Sequence, residues 1–305
     1  MLFKNLVVYR LPEGWSLSAA DLEQRLERST LQPCGPLEMS CRGWVIASPT
    51  GRLVHTVGQH QLIALGTEQK LLPSSVIRQF TKDRAVEIAA EQGFPLGRRQ
   101  MRDLKLRVTE ELRARALTRR VVTAAWIDPV GGWFVVEAAS ANRAEQVVEF
   151  LRKSIDSFAV QPLKGDRSPQ PRMAAWLLYG DVPQDFLIEN DLELKAADKS
   201  KATVRYLRHP FEPRQVQTHI ENGLVVTRVG LSWSGRVSFV LNEKLEVKRV
   251  EFLGISSEPG DGGGEADAAE QFDIDFALMT GELSQLLVQV DAAFGATAAT
   301  EDSRG

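Results

Sequence analysis

Near Pro73-Ser74-Ser75 the chain changes from one pattern of apolar residues to another, and that switch limits the folds open to it. Upstream, short apolar runs at Leu6–Tyr9, Gly43–Ile46, Val54–Val57 and Gln61–Leu65 are broken by Gly, Pro and Ser, and each reads as a strand. From Ser75 to Arg120 strand character disappears. A first helix is predicted from Ser75 to Gln92, with Ile77, Phe80 and Ile88 on related faces. A second is predicted from Arg98 to Arg120, striped by Met101, Leu104, Val108 and Leu112. Gly93-Phe94-Pro95 separates them, because Gly suits a left-handed cap and Pro cannot continue a helix. Strands resume at Ala124–Asp128 and, past a Pro129–Gly132 turn, at Trp133–Glu137. The pattern predicts a helical hairpin inserted into an α/β body.

Other elements fit the same outline. A helix carrying Leu22 and Leu26 starts at Ser16 or Ser18, with Asp21 three residues after Ser18, and a further helix from Ala141 to Ile155 turns Val147, Val148, Leu151 and Ile155 inward. Pro162–Pro171 reads as a linker, followed by a short helix around Asp191–Lys195. Leu224–Trp233, Arg236–Val240 and Leu245–Phe252 form a meander. An acidic, Gly-rich loop over Ser256–Glu270 precedes a last helix from Phe272 to Phe294, and the tail from Gly295 is expected to fray. The expected class is α+β. Its expected parts are a central α/β body (1–74 and 121–163), an inserted basic helical tip (75–120) and a C-terminal base domain (164–305) with the meander and terminal helix.

Charge is divided unevenly along this outline. The 37 Lys and Arg against 40 Asp and Glu give a net charge of −3, which taken alone argues against a protein that coats nucleic acid. Residues 75–120 hold 12 basic and 6 acidic residues, or +6, leaving 25 basic and 34 acidic, or −9, elsewhere. At 100° per residue, Arg98, Arg102, Lys105, Arg113 and Arg120 fall within about 80° of one another on the predicted helix, with Asp103, Glu110 and Glu111 roughly opposite. Such segregation fits phosphate-backbone binding and equally a solvated helix face. No zinc-finger spacing, zipper or aromatic RNA-binding motif is present, so contact independent of base sequence is expected.

The residues that usually carry chemistry do not assemble into a motif. No phosphate-binding loop or nucleophile elbow occurs, and the glycines at 260–264 sit among acids that would repel phosphate. His55, His60, His209 and His219 read as structural. Asp273 and Asp275 suggest a magnesium pair for nuclease chemistry, but their place near a helix start explains them without a metal. Cys34 and Cys41 read as reduced thiols, with no further Cys or His nearby to complete a zinc set. No cofactor and no metal are expected. The N-terminus lacks a signal-peptide pattern and no 18-residue apolar run occurs, so a cytoplasmic protein without membrane contact is expected.

Several segments in fixed order carry a family likeness. They are Met1–Leu6 with Val8–Leu11, Pro33-Cys34-Gly35 with Gly43-Trp44-Val45, Leu72–Ile77, Trp126-Ile127-Asp128, Leu151–Ser154, His219-Ile220-Glu221 and Phe276–Leu283. Together they resemble the bacterial recombination-associated RdgC family over essentially the whole chain. The resemblance implies a non-enzymatic protein that forms a ring-shaped homodimer with a positively charged hole around duplex DNA. It also implies single-stranded DNA binding, restraint of RecA-promoted strand exchange and association with the nucleoid. By position, Leu117 stands where the family has an aromatic gate residue, and Arg208-His209 stands where it has a Lys-Gln pair. Both are thereby implied at a dimer interface, with Arg208 a second contributor to DNA contact. Two alternatives stand beside this reading: a scaffold that binds an acidic protein through its tip, and a metal-dependent nuclease using Asp273 and Asp275.

Overall fold

The computed structural model describes residues 2–155, 158–165, 168–198, 200–254 and 265–295. The predicted acidic loop lies outside these described residues over 256–264 and is helical, not a loop, over 265–270, and the tail from 296 lies wholly outside them. Twelve strands among them share one sheet whose paired strands all run antiparallel.

The first half of the sheet is built from β1 (Leu6–Arg10), β2 (Ser40–Val45), β3 (His55–Val57), β4 (His60–Lys70), β5 (Thr118–Asp128), β6 (Trp133–Glu137) and β7 (Gln161–Pro162). The second half comprises β8 (Phe186–Ala196), β9 (Thr203–Tyr206), β10 (Leu224–Trp233), β11 (Val237–Asn242) and β12 (Val247–Phe252). Their order is β2-β4-β5-β6-β1-β12-β11-β10-β8-β9, with β3 on β4 and β7 on β1. The halves meet where Leu6 of β1 pairs with Val247 of β12.

Alternation of apolar side chains gives the sheet two cores. On one face Leu6, Val8, Leu62, Trp126, Val229 and Leu231 meet α5 (Pro169–Tyr179), α6 (Pro213–Glu221) and α7 (Glu265–Phe294). Phe276, Met279, Leu283, Leu286 and Val290 of α7 are all buried there. On the other face Val7, Tyr9, Ile63, Ile127 and Phe134 meet α1 (Ala19–Glu27) and α4 (Ala141–Ser154). No residue of β8–β12 belongs to this second core, so α1 and α4 cover only the first half.

Local signals act as the sequence implies at several ends. Ser18 caps α1 by accepting from the Asp21 amide at 3.1 Å. Gly93 ends α2 (Ser74–Gln92) at φ +80°, a backbone conformation that costs glycine little. Helix α3 (Arg98–Arg115) follows and packs against α2 through buried Leu104 and Val108. The pair stands where β4 and β5 would otherwise be joined by a turn: Lys70 pairs with Thr118, and the Leu71 amide donates to the Leu117 carbonyl at 2.8 Å.

Four further expectations are corrected. The predicted second helix stops at Arg115, and Arg119 and Arg120 belong to β5, whose ten-pair ladder with β4 outweighs their helical propensity. Asp191–Lys195 is strand rather than helix; Leu192 and Leu194 enter the core while Glu193 and Lys195 face away, the period of a strand. Within the predicted linker, α5 begins at Pro169, a residue tolerated in a first helical turn. Cys34 and Cys41 are joined as a disulfide with a Cα–Cα distance of 5.4 Å, not held as free thiols.

Candidate nucleic-acid interface

The predicted basic stripe divides into three groups. Arg98, Arg102 and Lys105 are exposed on the distal part of α3, and among the described residues their side chains have no hydrogen-bond or ion-pair partner. Arg113 is an anchor instead, donating from Nη1 to the Leu37 carbonyl at 3.1 Å. Arg120 sits across the ladder from Glu68 and donates from Nη2 to its Oε1 at 3.1 Å. The same hairpin is tied internally by Arg84 and Glu111 at 3.1 Å. Leu117 lies at the root of the hairpin, 78% exposed, beside the exposed Leu71.

A second cationic surface escaped the sequence reading. It occupies the face of β8–β12 that carries no helix among the described residues. Glu193 lies at its centre, nearly buried, and binds Lys195 at 2.9 Å, Arg205, and Arg228 at 3.6 Å. Arg249 reaches Asp191 at 3.0 Å and Lys248 reaches Glu246 at 3.2 Å. Five cations thus meet three carboxylates, a local excess of +2. Arg205, Arg228 and Arg249 keep about half of their side-chain surface exposed while paired. Together with Leu207 they line one shallow groove. The visible signal for this face was the alternation Leu192-Glu193-Leu194-Lys195.

Burial opposes ionisation of Glu193, but hydrogen bonds from Lys195, Thr227 and Arg205 and the charge of Arg228 outweigh it and hold the carboxyl down at about 2. A carboxyl depressed on folding stabilises the folded chain above its unfolded pKa and loses that contribution as pH falls through the folded value. Glu193 therefore stabilises fully above about pH 4.5, and the contribution, on the order of 2 kcal/mol, fades between there and about pH 2. Glu193→Gln should lower the urea midpoint at pH 7 and flatten its fall with acid over that window. An unchanged acid profile would refute the assignment.

Arg208 and His209 are exposed just beyond β9, with Arg208 at φ +50° and the His209 amide donating to the Asn190 carbonyl at 3.1 Å. They adjoin the β8–β9 end of the sheet and are not brought to the α2–α3 hairpin. Seven strand spacings separate β5 from β9 along the sheet order, about 34 Å at the usual interval. The predicted DNA-binding residues thus form two surfaces at opposite ends of one sheet.

The histidines have partners within the fold. His60 lies 3.2 Å from the Trp126 Nε1 that donates to it and 3.7 Å from Asp128; burial lowers its pKa and the Asp128 charge partly offsets this. Tyr206 and His219 are 3.2 Å apart, and His209 Nδ1 lies 2.7 Å from the Pro210 carbonyl. His55, 3% exposed, meets Asp273 at 2.9 Å and packs edge-on against Phe272 and Phe276. Asp273 and Asp275, the candidate magnesium pair, are not brought together by the fold. Two residues apart on α7, they point about 200° apart, with Asp273 on His55 and Asp275 accepting from Gln271 at 2.8 Å.

Comparison with known proteins agrees over nearly the whole length. A family model described as "Putative exonuclease, RdgC" matches residues 1–297. The recombination-associated protein RdgC of Dechloromonas aromatica is 46% identical over 97% of this chain and 98% of its own. Its namesakes from Janthinobacterium sp. and Herminiimonas arsenicoxydans are each 44% identical over 97% of this chain and 98% of theirs. The names of these relatives state an association with recombination and no enzymatic activity. The chain belongs to the RdgC family of recombination-associated proteins.

Proposed function

We propose that this protein binds DNA without sequence preference, favouring duplex over single strands, and restrains RecA-promoted strand exchange by occupying the DNA. The reading places it in the cytoplasm on the nucleoid, as a homodimeric ring with the α2–α3 hairpin and Leu117 at one closing contact and Arg208-His209 at the interface. Within the described residues, no helix is long and apolar enough to cross a membrane. The observation that carries the reading is the exposed, partnerless set Arg98, Arg102 and Lys105 in a segment of +6. The cation-rich sheet face adds a second surface of the same sign. Neither presents a code for base edges, which fits contact with phosphates.

A salt titration on random-sequence duplex DNA tests the reading. Three phosphate contacts, from Arg98, Arg102 and Lys105, give a slope of about −2.7 in log affinity against log salt. A flat response would remove DNA as the ligand and leave an acidic protein partner in its place. Nucleotide release from the same DNA on adding magnesium would overturn the non-enzymatic part, in favour of the activity in the family description. A closed ring also predicts slower dissociation from circular than from linear DNA, and equal rates would exclude encirclement.

A further inference from the structure

We propose that Cys34, Cys41 and Glu68 form a binding site for a thiophilic divalent cation of the zinc class once the disulfide between the cysteines is reduced. Cys41 and Glu68 are directly opposed partners in the β2–β4 ladder. Their ligand atoms, Cys41 Sγ and Glu68 Oε2, are 3.9 Å apart. One donor atom from each of the three residues lies within 4.8 Å of the others. Zinc–sulfur bonds of about 2.3 Å and zinc–oxygen bonds of about 2.1 Å set tetrahedral donors about 3.5–3.8 Å apart, so the site needs only a small opening of the sulfur pair.

The ligands are positioned by contacts other than the S–S bond. Lys70, 5% exposed, donates from Nζ to the Gly35 carbonyl at 2.7 Å and to the Pro36 carbonyl at 3.1 Å. The Cys34 amide donates to Glu68 Oε2 at 3.2 Å, and the Lys70 amide to the Met39 carbonyl at 2.9 Å. The loop between the cysteines therefore stays tied to β4 in the reduced chain. Two thiolates and a carboxylate bring −3 against the cation's +2, and Arg120 on Glu68 Oε1 and Lys70 on the loop carbonyls add positive charge beside them. Cys34 and Cys41 are half-buried, which leaves a fourth position open to water. The site lies at the root of α3, because Leu37 of the same loop receives Arg113.

Opening the site is a two-electron step. A water-soluble trialkylphosphine cleaves the S–S bond and becomes a phosphine oxide with an oxygen from water, whose two protons go to the two sulfurs. Cation binding then releases those protons. A reducing compartment would supply the dithiol state.

The test uses the full chain, reduced with the phosphine, freed of it and titrated with cobalt(II) without air. A thiolate-to-cobalt absorption band should grow to one equivalent and vanish on adding zinc. The oxidised chain should give no band. Cys34→Ser and Cys41→Ser should each cut the band to about half or less, and Glu68→Gln should weaken binding about tenfold or more. Circular dichroism on each variant confirms that it is folded. No band in the reduced parent, or an undiminished band in folded Cys34→Ser, overturns the proposal.

Discussion

A chain carrying Arg98→Glu, Arg102→Glu and Lys105→Glu should bind random duplex DNA at least about a hundredfold more weakly than its parent near 0.1 M salt. Each phosphate contact adds about 0.9 to the slope of log affinity on log salt, so three contacts supply about 2.7 log units at that concentration. Reversing the charges adds repulsion to the loss. The fold should tolerate the change, because these side chains are exposed and have no partner among the described residues. Thermal midpoint and sedimentation measured alongside separate DNA contact from damage to the fold or to self-association. An affinity within about threefold of the parent would move the DNA surface to the open face of β8–β12.

The largest effect on stability should come from Gly43→Ala. A Cβ at Gly43 would lie 2.2 Å from both the nitrogen and the Cα of Leu31, and 2.5 Å from the Thr30 carbonyl carbon. These are backbone atoms, so no side-chain rotation relieves the overlap. The same segment is bonded on both sides of Trp44, whose amide donates to Ser29 at 3.0 Å and whose carbonyl accepts from Leu31 at 3.0 Å. Separating the two segments would sacrifice those bonds and disturb the buried indole, which donates to Ser154 at 2.8 Å. A loss of about 3 kcal/mol or more is expected in urea unfolding. Gly66, paired with Gly43 across the ladder, offers the comparison: a Cβ there crowds the Leu31 and Val45 side chains at 2.7 Å and meets backbone, the Gly43 carbonyl oxygen, at an ordinary 3.5 Å. Those tips can shift, so Gly66→Ala should cost less. Equal costs would mean that the backbone approach at Gly43 is looser in solution.

The parts of the fold legible in the sequence are those set by nearby residues. The Ser18 cap, the Gly93 stop and the meander from Leu224 to Phe252 each depend on side chains a few positions apart. The misread parts are set by distant partners. Asp191–Lys195 has polar residues common in helices, yet β10 captures it on one side and β9 on the other. Arg119 and Arg120 continue a helical charge pattern, but Gln69 and Glu68 of β4 hold them in a ladder. The candidate site follows the same division. The excess of charge at 75–120 was plain from counting, whereas the face around Glu193 gathers residues from β8, β9, β10 and β12 that are far apart in sequence. Cys34 and Cys41 showed their spacing, but Glu68 joins them only because β2 pairs with β4.

The place where α2 and α3 leave the sheet bears on how this molecule can vary. The excursion departs after Lys70 and returns at Thr118, two residues already opposite each other in the ladder. Lengthening or shortening it by whole helical turns therefore shifts no strand pairing elsewhere and moves no side chain from one face of the sheet to the other. The reach of the arm is an independent dimension of the protein, adjustable at a single junction while the rest of the architecture keeps its register.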